Sequence, residues 1–526
     1  MKRSLTLCYV VIMCVIVACD PFSQSSDATV AVIVSEQPEL SAEVSPVSLY
    51  ERERQQIIPT QHIDIPQTAV FDCSSDVADA PMTRHLVTAD IHYTQYEVDV
   101  VQTVRYVNRE SVALSSLVLT VEPNRWSRVF DLLAVRVENV EAEYVLDGKR
   151  LEVMLPEVLN PLCEAQLTLT FQLDLPRIGE GIYVSHGYFG YTERQLNLGS
   201  WLPTMAVYRD EDWMVHPAYL VGEQDVLPVA DWDVMLSLIG EGQPPIIAAP
   251  GVATQLSDRS WRYLHQGARE FSVSMSHVFN VITQEAVNGT LVEVYSYDDA
   301  VVTVAGTEID TAQHALDVGV HSFEMYSDLF GAYPFERLLI VQGDFPDGME
   351  FSGLVFVGSD WFTNYPGNPA SYLTLITVHE VAHQWWYALV GNDSAMIPWL
   401  DEALSTYSEY IFLEEFYPDL TEWWWQFRVN SFSPVGNVDN SVYMFDTSRN
   451  YINAVYLRGA AMMHAIRQDI GTEAFFDALY AYAEAQSGLI ATPEAFWSVF
   501  TAEQLEATVD TRRRFLRQSQ VLPDGG

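Results

Sequence analysis

The sequence predicts a multi-domain α+β protein, in which an all-β, sandwich-like domain precedes a mixed domain that turns from strands to helices. The chain has 526 residues, of which 49% are hydrophobic, enough for more than one packed core. From about residue 82 to 285, short runs alternate polar and apolar side chains, which is the period of a strand. After about residue 290 the apolar residues recur with a helical period.

The first of these regions contains clear examples of strand alternation. Residues 96–101 and 165–171 alternate between the two kinds of side chain and are bounded by turn residues. Many short strands without intervening helices are typical of a sandwich. We therefore expect an N-terminal β domain over residues 81–287.

The second region, residues 288–526, begins with strands and continues with helices. One helix is predicted over 369–390, where Asn368 suits the N-cap, Pro369 the first helical position and Gly391 the position after the last turn. Helices dominate from residue 399 onward. The other elements predicted here are strands 291–297, 338–341 and 354–357, and a helix over 312–329.

The N-terminus has the pattern of a targeting segment. Lys2 and Arg3 precede an apolar stretch, residues 5–17, that is short for a bilayer span. The sequence Ile-Val-Ala-Cys ending at Cys19 resembles the cleavage box of bacterial lipoproteins, in which the cysteine is lipidated and begins the mature chain. A plain secretory signal is the alternative.

That resemblance implies a protein exported to the cell envelope or extracellular face and lipid-anchored to a membrane. Residues 1–19 would be the signal peptide, and residues 20–80, rich in Ser, Val, Pro, Gln and Glu, a flexible tether. The sequence does not predict which membrane carries the anchor, nor the oligomeric state of the protein.

The net charge of −44, from 71 acidic and 27 basic residues, opposes binding to polyanions. Such a field repels nucleic-acid backbones and anionic headgroups, so we expect no nucleic-acid partner and no membrane contact beyond the lipid. Cys73 and Cys163 are the cysteines outside the signal segment. In an oxidising compartment they can form a disulfide, and two buried thiols are the alternative.

The centre of the predicted helix 369–390 holds two histidines and a glutamate among apolar residues. Buried ionisable groups are costly unless they are paired or metal-bound. His379 and His383 are four positions apart, so both rings leave the same helix face and can share one ion. Glu380 lies about 100° around the helix and can face the same cavity without binding the metal. This is the His-Glu-x-x-His pattern of zinc hydrolases.

A third ligand is available after His383, with eighteen residues between the two positions. Glu402 begins the next predicted helix within Trp-Leu-Asp-Glu-Ala, and the turn at residues 391–394 allows that helix to fold back. Two histidines and one glutamate leave a coordination position open for water, as catalytic zinc sites do. The sequence therefore predicts one zinc ion per chain, with Glu380 as the general base.

These spacings resemble the gluzincin aminopeptidases of the M1 type, along roughly 440 residues. Gly348-Met349-Glu350 is similar to the family's exopeptidase motif, with Phe351 where asparagine is usual. Two further matches are Gly-Ala-Tyr-Pro-Phe at 331–335 and Tyr-Leu-Arg-Gly-Ala at 456–460, in which Arg458 replaces lysine.

The resemblance implies a thermolysin-like catalytic domain and assigns roles. Glu350 would bind the free α-amine of a peptide, while Gly348 and Met349 would offer backbone groups to an extended substrate. Tyr456 would stabilise the oxyanion, and Glu409 would orient a histidine ligand.

The sequence also departs from the family. Larger members have a C-terminal helical domain and a second amine-binding acidic residue in the β domain, and the segment 201–204 shows no equivalent of that residue. Three alternatives stay open: a peptidase indifferent to the free amine, such as an endopeptidase; an inactive surface binding protein; and an epoxide hydrolase-like enzyme. The preferred N-terminal residue and the physiological substrate are not predicted.

Overall fold

The computed structural model describes residues 71–74, 82–179 and 187–517. The signal segment, Cys19 and the tether up to residue 70 lie outside the described residues, so the predictions for them stay predictions. Among the helices that are described, none combines the length and apolarity that crossing a membrane would need.

The N-terminal part is β-rich, as predicted. Its largest sheet has nine strands, and the longest of them alternate buried and exposed side chains because one face covers the core. A disulfide joins Cys73 to Cys163 and fixes the short first strand to this sheet, which resolves the open choice for the two cysteines. The strands of the sheet are Asp72–Cys73, Arg84–His92, Glu97–Val107, Phe130–Val137, Val140–Glu141, Cys163–Asp174, Ala230–Ile239, Val252–Ser257 and Ser260–Ala268.

Three smaller sheets complete this part. The first four-stranded sheet contains Leu114–Thr120, Tyr144–Asp147, Arg150–Leu159 and Thr204–Met205, and the second contains Phe189–Tyr191, Leu196–Leu198, Ile246–Ala248 and Val273–Ser276. A hairpin joins Val207–Arg209 to Asp212–Met214.

The second part opens with a mixed five-stranded sheet. The predicted strands 291–297, 338–341 and 354–357 form its parallel centre, and its edge is the short strand Gly348–Met349. The helix predicted over 312–329 spans Thr311–Phe330. The strands of the sheet are Asn280–Glu285, Leu291–Ser296, Arg337–Gly343, Gly348–Met349 and Leu354–Gly358, and a hairpin joins Val301–Val304 to Thr307–Asp310.

The helix with the paired histidines is shorter than the sequence predicts. This histidine helix spans Tyr372–Ala382, not 369–390. Its N-cap is Ser371, whose hydroxyl accepts a hydrogen bond from the backbone of Thr374. Asn368 instead accepts one from the backbone of Ala370 and closes a turn before the helix. The predicted cap was therefore wrong by three residues.

A π-helical segment, Gln384–Leu389, follows the histidine helix. Within it Trp386 and Tyr387 have non-helical dihedral angles. The buried guanidinium of Arg269, from the β-rich part, donates hydrogen bonds to the carbonyls of Tyr387 and Leu389. The last carbonyls of a helix have no partner within it, so Arg269 satisfies the end of this segment, and Gly391 follows the π-helical segment and not a regular α-helix.

After the turn, the glutamate helix, Trp399–Phe416, packs against the histidine helix. Later helices surround this pair. They are Arg458–Ile470, Thr472–Gln486 and the shorter Thr421–Trp424, Ser448–Tyr451, Pro493–Ser498, Ala502–Ala507 and Val509–Phe515, and one more short helix, Ser359–Thr363, precedes the histidine helix.

Candidate metal centre and substrate cleft

The three predicted metal ligands lie together in the interior. The Nε2 atoms of His379 and His383 are 3.1 Å apart. Oε2 of Glu402 lies 3.4 Å from the first of these atoms and 3.5 Å from the second. All three side chains are buried, and together they form a candidate metal site.

The local fold explains this convergence. One turn of helix separates the two histidines, so their rings leave the same face. Glu402 lies in the first turn of the glutamate helix, which the short connection at 391–398 returns to that face. The arrangement thus follows from helical period and one reversal of the chain.

The donor set fits a zinc ion. The Nδ1 atom of His379 is 3.1 Å from a carboxylate oxygen of Glu409, and that of His383 is 3.0 Å from the carbonyl oxygen of Trp386. Both partners are acceptors, so each neutral ring carries its proton on Nδ1 and a lone pair on Nε2. Two nitrogen lone pairs and the Glu402 oxygen then lie close together. A bound cation would offset the repulsion between these three electron-rich atoms.

Glu409 is itself fixed by three donors. Arg428 binds it through Nε at 3.0 Å and Nη2 at 2.8 Å, and the indole of Trp424 donates at 3.0 Å. Burial opposes ionisation of Glu409, but Arg428 outweighs it and holds the pKa of this carboxyl at about 2. An ionised Glu409 can therefore orient the ring of His379.

Glu380 points toward the edge strand that carries Gly348. A Cβ atom added at Gly348 would lie 2.2 Å from Oε1 of Glu380, closer than any real contact, so only glycine leaves room for this carboxylate. Burial raises the pKa of Glu380 to about 7. Among the described residues its Oε2 has no hydrogen-bond partner, which leaves that atom available to a ligand.

Tyr456 adjoins the metal ligands. Its hydroxyl donates a hydrogen bond to Oε1 of Glu402, and its ring lies parallel to that of His379 with centroids 5.8 Å apart. Gly348 and Met349, in the edge strand, leave one side of the sheet open to an extended peptide.

Glu350 lies next to an acidic residue that the sequence reading missed. Oxygens of Glu350, Glu223 and Glu402 lie within 4.8 Å of one another. Burial, reinforced by Glu402, raises the pKa of Glu223 to about 8, and burial also raises that of Glu350. No lysine or arginine of the described residues forms an ion pair with Glu223 or Glu350. The two carboxyls thus lie beside the metal ligand Glu402, without a lysine or arginine of the described residues to neutralise them.

Glu223 is carried by a long loop, residues 215–229, between two strands of the β-rich part. The far side of the cleft holds this loop: Tyr219 donates a hydrogen bond to the carbonyl of Phe445, and Tyr443 donates one to the carbonyl of Pro217. Gly222 lies against Tyr451, too close for a side chain. No periodic pattern marks such a loop, so only its tertiary contacts reveal Glu223.

The segment predicted to correspond to the second acidic residue has another role. Trp201 is fully buried and donates a hydrogen bond to the carbonyl of Phe271, and Pro203 accepts one from Gln102. The segment 201–204 thus belongs to the core of the β-rich part.

Residues 314–513 match the description "Peptidase family M1 domain". Aminopeptidase N of Lactococcus lactis is 30% identical over 225 residues, which cover 38% of this chain and 25% of that protein. Aminopeptidase M1-D of rice is 27% identical over 203 residues, covering 35% of this chain and 23% of that protein. The chain thus spans about a quarter of the length of these curated relatives.

Solved structures resemble a larger share of the chain. The M1 zinc metallopeptidase of Deinococcus radiodurans superposes with a TM-score of 0.60 at 19% identity, covering 84% of this chain and 94% of that one. A variant of a two-domain M1 zinc metallopeptidase bound to L-arginine gives a TM-score of 0.59 at 17% identity, covering 84% of this chain and 95% of that one. The likeness shows the same two-domain fold.

Proposed function

We propose that this protein is a zinc-dependent aminopeptidase that releases N-terminal residues from peptides, because residues 314–513 match the family M1 peptidase domain and a candidate metal site lies within them. One observation supports recognition of a free amine: Glu350 and Glu223 lie together beside the metal ligand Glu402, and no lysine or arginine of the described residues pairs with them. A peptide's α-ammonium supplies the missing charge.

Zinc, when held by His379, His383 and Glu402, supplies a Lewis acid that activates water and polarises the scissile carbonyl. Glu380 takes the proton of the attacking water and delivers it to the leaving amine. The space above Gly348 allows the Glu380 carboxylate to approach the backbone of the edge strand, where an extended substrate would bind.

Tyr456 and the acidic pair have different roles in this proposal. The Tyr456 hydroxyl, held at Glu402, can donate to the oxyanion as negative charge develops there. Glu350 and Glu223 bind the α-ammonium and so fix which peptide bond reaches Glu380. A variant of the Deinococcus relative is described as bound to the substrate Tyr-Ser-Ala, a short peptide, which supports peptides as the substrate class.

We also propose that the protein is exported and anchored through a lipid on Cys19. The support is the signal-like N-terminus that ends at this cysteine. The disulfide between Cys73 and Cys163 agrees with an oxidising compartment, because cytosolic thiols stay reduced. Loss of labelling by radioactive palmitate in a Cys19→Ser variant would support the anchor, whereas unchanged labelling would contradict it.

The proposed activity is tested by comparing aminoacyl-coumarins with their N-acetylated forms, using the mature chain in detergent. Cleavage of the free-amine forms alone supports the aminopeptidase. Equal cleavage of both forms would indicate a peptidase indifferent to the amine. No cleavage of either would favour a binding protein on this scaffold, and a lipid-epoxide assay tests the epoxide hydrolase alternative.

A further inference from the structure

The turn that follows Glu350, residues 350–353, is bound by a side chain next to a metal ligand. We call it the anchor turn. Gln384 directly follows His383, and its amide bonds the turn twice: Nε2 donates to the carbonyl of Phe351 at 3.1 Å, and Oε1 accepts from the backbone of Gly353 at 2.8 Å. Gln384 is completely buried, so water does not compete for these bonds.

The β-rich part binds the same turn from its other side. Glu270 accepts a hydrogen bond from the backbone of Ser352 at 2.5 Å, and its second oxygen accepts one from the hydroxyl of Tyr387, also at 2.5 Å. Nε2 of His265 lies 2.9 Å from the carbonyl oxygen of Ser352, and the backbone of Arg269 donates to the Ser352 hydroxyl. The turn is thus held between two parts of the molecule.

These contacts link the carboxylate Glu350 to the metal ligand His383 through only a few residues. On one side Gln384 is the neighbour of His383 in the chain, and on the other Phe351 is the neighbour of Glu350. A shift of the turn relative to the histidine helix would change the distance from Glu350 to the metal ligands. Because catalysis demands tight placement of the scissile bond, such a shift has a large effect on productive binding.

We propose that Gln384 and Glu270 are positioning residues that set the distance between the amine-binding carboxylate Glu350 and the metal centre. Gln384 fixes the anchor turn to the histidine helix, and Glu270 fixes it to the β-rich part through Ser352 and Tyr387. Neither residue needs to touch the substrate. The inference rests on the proposed function, since it concerns the recognition of a free α-amine.

The test uses two ligands that differ only at the amine: leucine hydroxamate and N-acetyl-leucine hydroxamate. The hydroxamate group binds the metal in both, so the ratio of their dissociation constants measures recognition of the amine alone. Titration calorimetry on the zinc-loaded protein gives this ratio. In Gln384→Met, which keeps the bulk and removes both hydrogen bonds, we expect the ratio to fall about tenfold or more, with unchanged affinity for the acetylated ligand and unchanged zinc content.

Gln342→Met is the matched control. Gln342 is also fully buried and also makes two hydrogen bonds, to the backbone of Tyr297 and to Asp299, but it does not bind the anchor turn. We expect this variant to keep the wild-type ratio. Equal weakening of both ligands by Gln384→Met, or no change in the ratio, would overturn the proposal.

Glu270→Met serves if Gln384→Met does not fold. The thioether keeps the approximate length of the side chain but replaces neither acceptor oxygen, so the hydrogen bonds from Ser352 and Tyr387 are both lost. The ratio should again fall, and an unchanged ratio in a folded Glu270→Met protein would contradict the proposal. A wild-type protein that binds both hydroxamates equally would refute the aminopeptidase itself, and the inference with it.

Discussion

The two halves of the cleft are built in different ways. The metal half, His379, His383 and Glu402, is carried by two adjacent helices and one turn. The proposed amine half, Glu350 and Glu223, is carried by a turn and a long loop from different parts of the chain. The first depends on helical period, and the second on hydrogen bonds between distant segments.

This difference determines how each half should respond to substitution. In the metal half the ligands are oriented by close neighbours such as Glu409, so substitutions there should lower zinc affinity and turnover. In the proposed amine half the residues contribute charge. Substitutions there should weaken substrate binding and reduce the discrimination between free and blocked amines. The following predictions test this division.

The largest effect is expected for Glu380→Gln. The amide keeps the shape but cannot accept the proton of the attacking water, so kcat should fall by a factor of about 100 to 10,000. Zinc content, measured by atomic absorption, should stay at one ion per chain, since Glu380 is not a ligand. Loss of zinc in this variant would contradict the assignment of Glu380 as the base.

The second prediction concerns Glu409→Gln. The neutral amide loses the ion pair with Arg428 and binds the Nδ1 proton of His379 more weakly, so zinc affinity should fall by a factor of about 10 to 100. Competition with a chelator measures this. KM at saturating zinc should change little, and a large rise in KM with unchanged zinc affinity would break the proposed division between the two halves.

A smaller effect is expected for Glu223→Gln. Removing one of two carboxylates around the α-ammonium should raise KM for free-amine substrates about tenfold, because one charge-assisted hydrogen bond is lost. Zinc affinity and the cleavage of any N-acetylated substrate should not change. Glu193→Gln, at an exposed glutamate of the β-rich part, is the control for net charge. An unchanged KM in Glu223→Gln would contradict the proposed role of Glu223 in binding the α-amine.

The same difference explains what the sequence could predict. The metal ligands, Glu380 and Glu409 follow from the spacing of residues on two helices, and the structure places all five side chains together. The long alternating strands were also predictable, because burial on one face imposes their period. These features depend on residues close in the chain.

Features that depend on distant contacts were not predictable. The histidine helix ends at Ala382 and continues as a π-helical segment, whose last carbonyls bind Arg269 from the β-rich part. Glu223 has no local signal, since its position is set by contacts of its loop with Tyr443 and Phe445. The pairing of Cys73 with Cys163 required the register of two strands. The types and spacing of residues predict the kind of site, whereas tertiary contacts determine which distant side chains lie together.

The last prediction concerns stability in the β-rich part, which carries Glu223. His85 is completely buried and stacks on Trp232, and burial lowers its pKa to about 3. The unfolded chain binds this proton near pH 6.5, so the unfolded state gains protons first as the pH falls. The free energy of unfolding therefore decreases as the pH falls below about 6.5. The decrease between pH 7 and pH 5 is roughly 2 kcal/mol.

His85→Phe keeps an aromatic ring on Trp232 and removes the titration, so the unfolding free energy should fall less steeply between pH 7 and pH 5 than in the wild type. Urea titrations at the two pH values measure the difference, which cancels contributions from the metal ligands because both proteins share them. His277→Phe, at an exposed histidine, is the control for replacing a histidine by phenylalanine. Equal slopes in His85→Phe and the wild type would mean that His85 takes up no proton on acid unfolding, and the acid sensitivity would then belong to other groups.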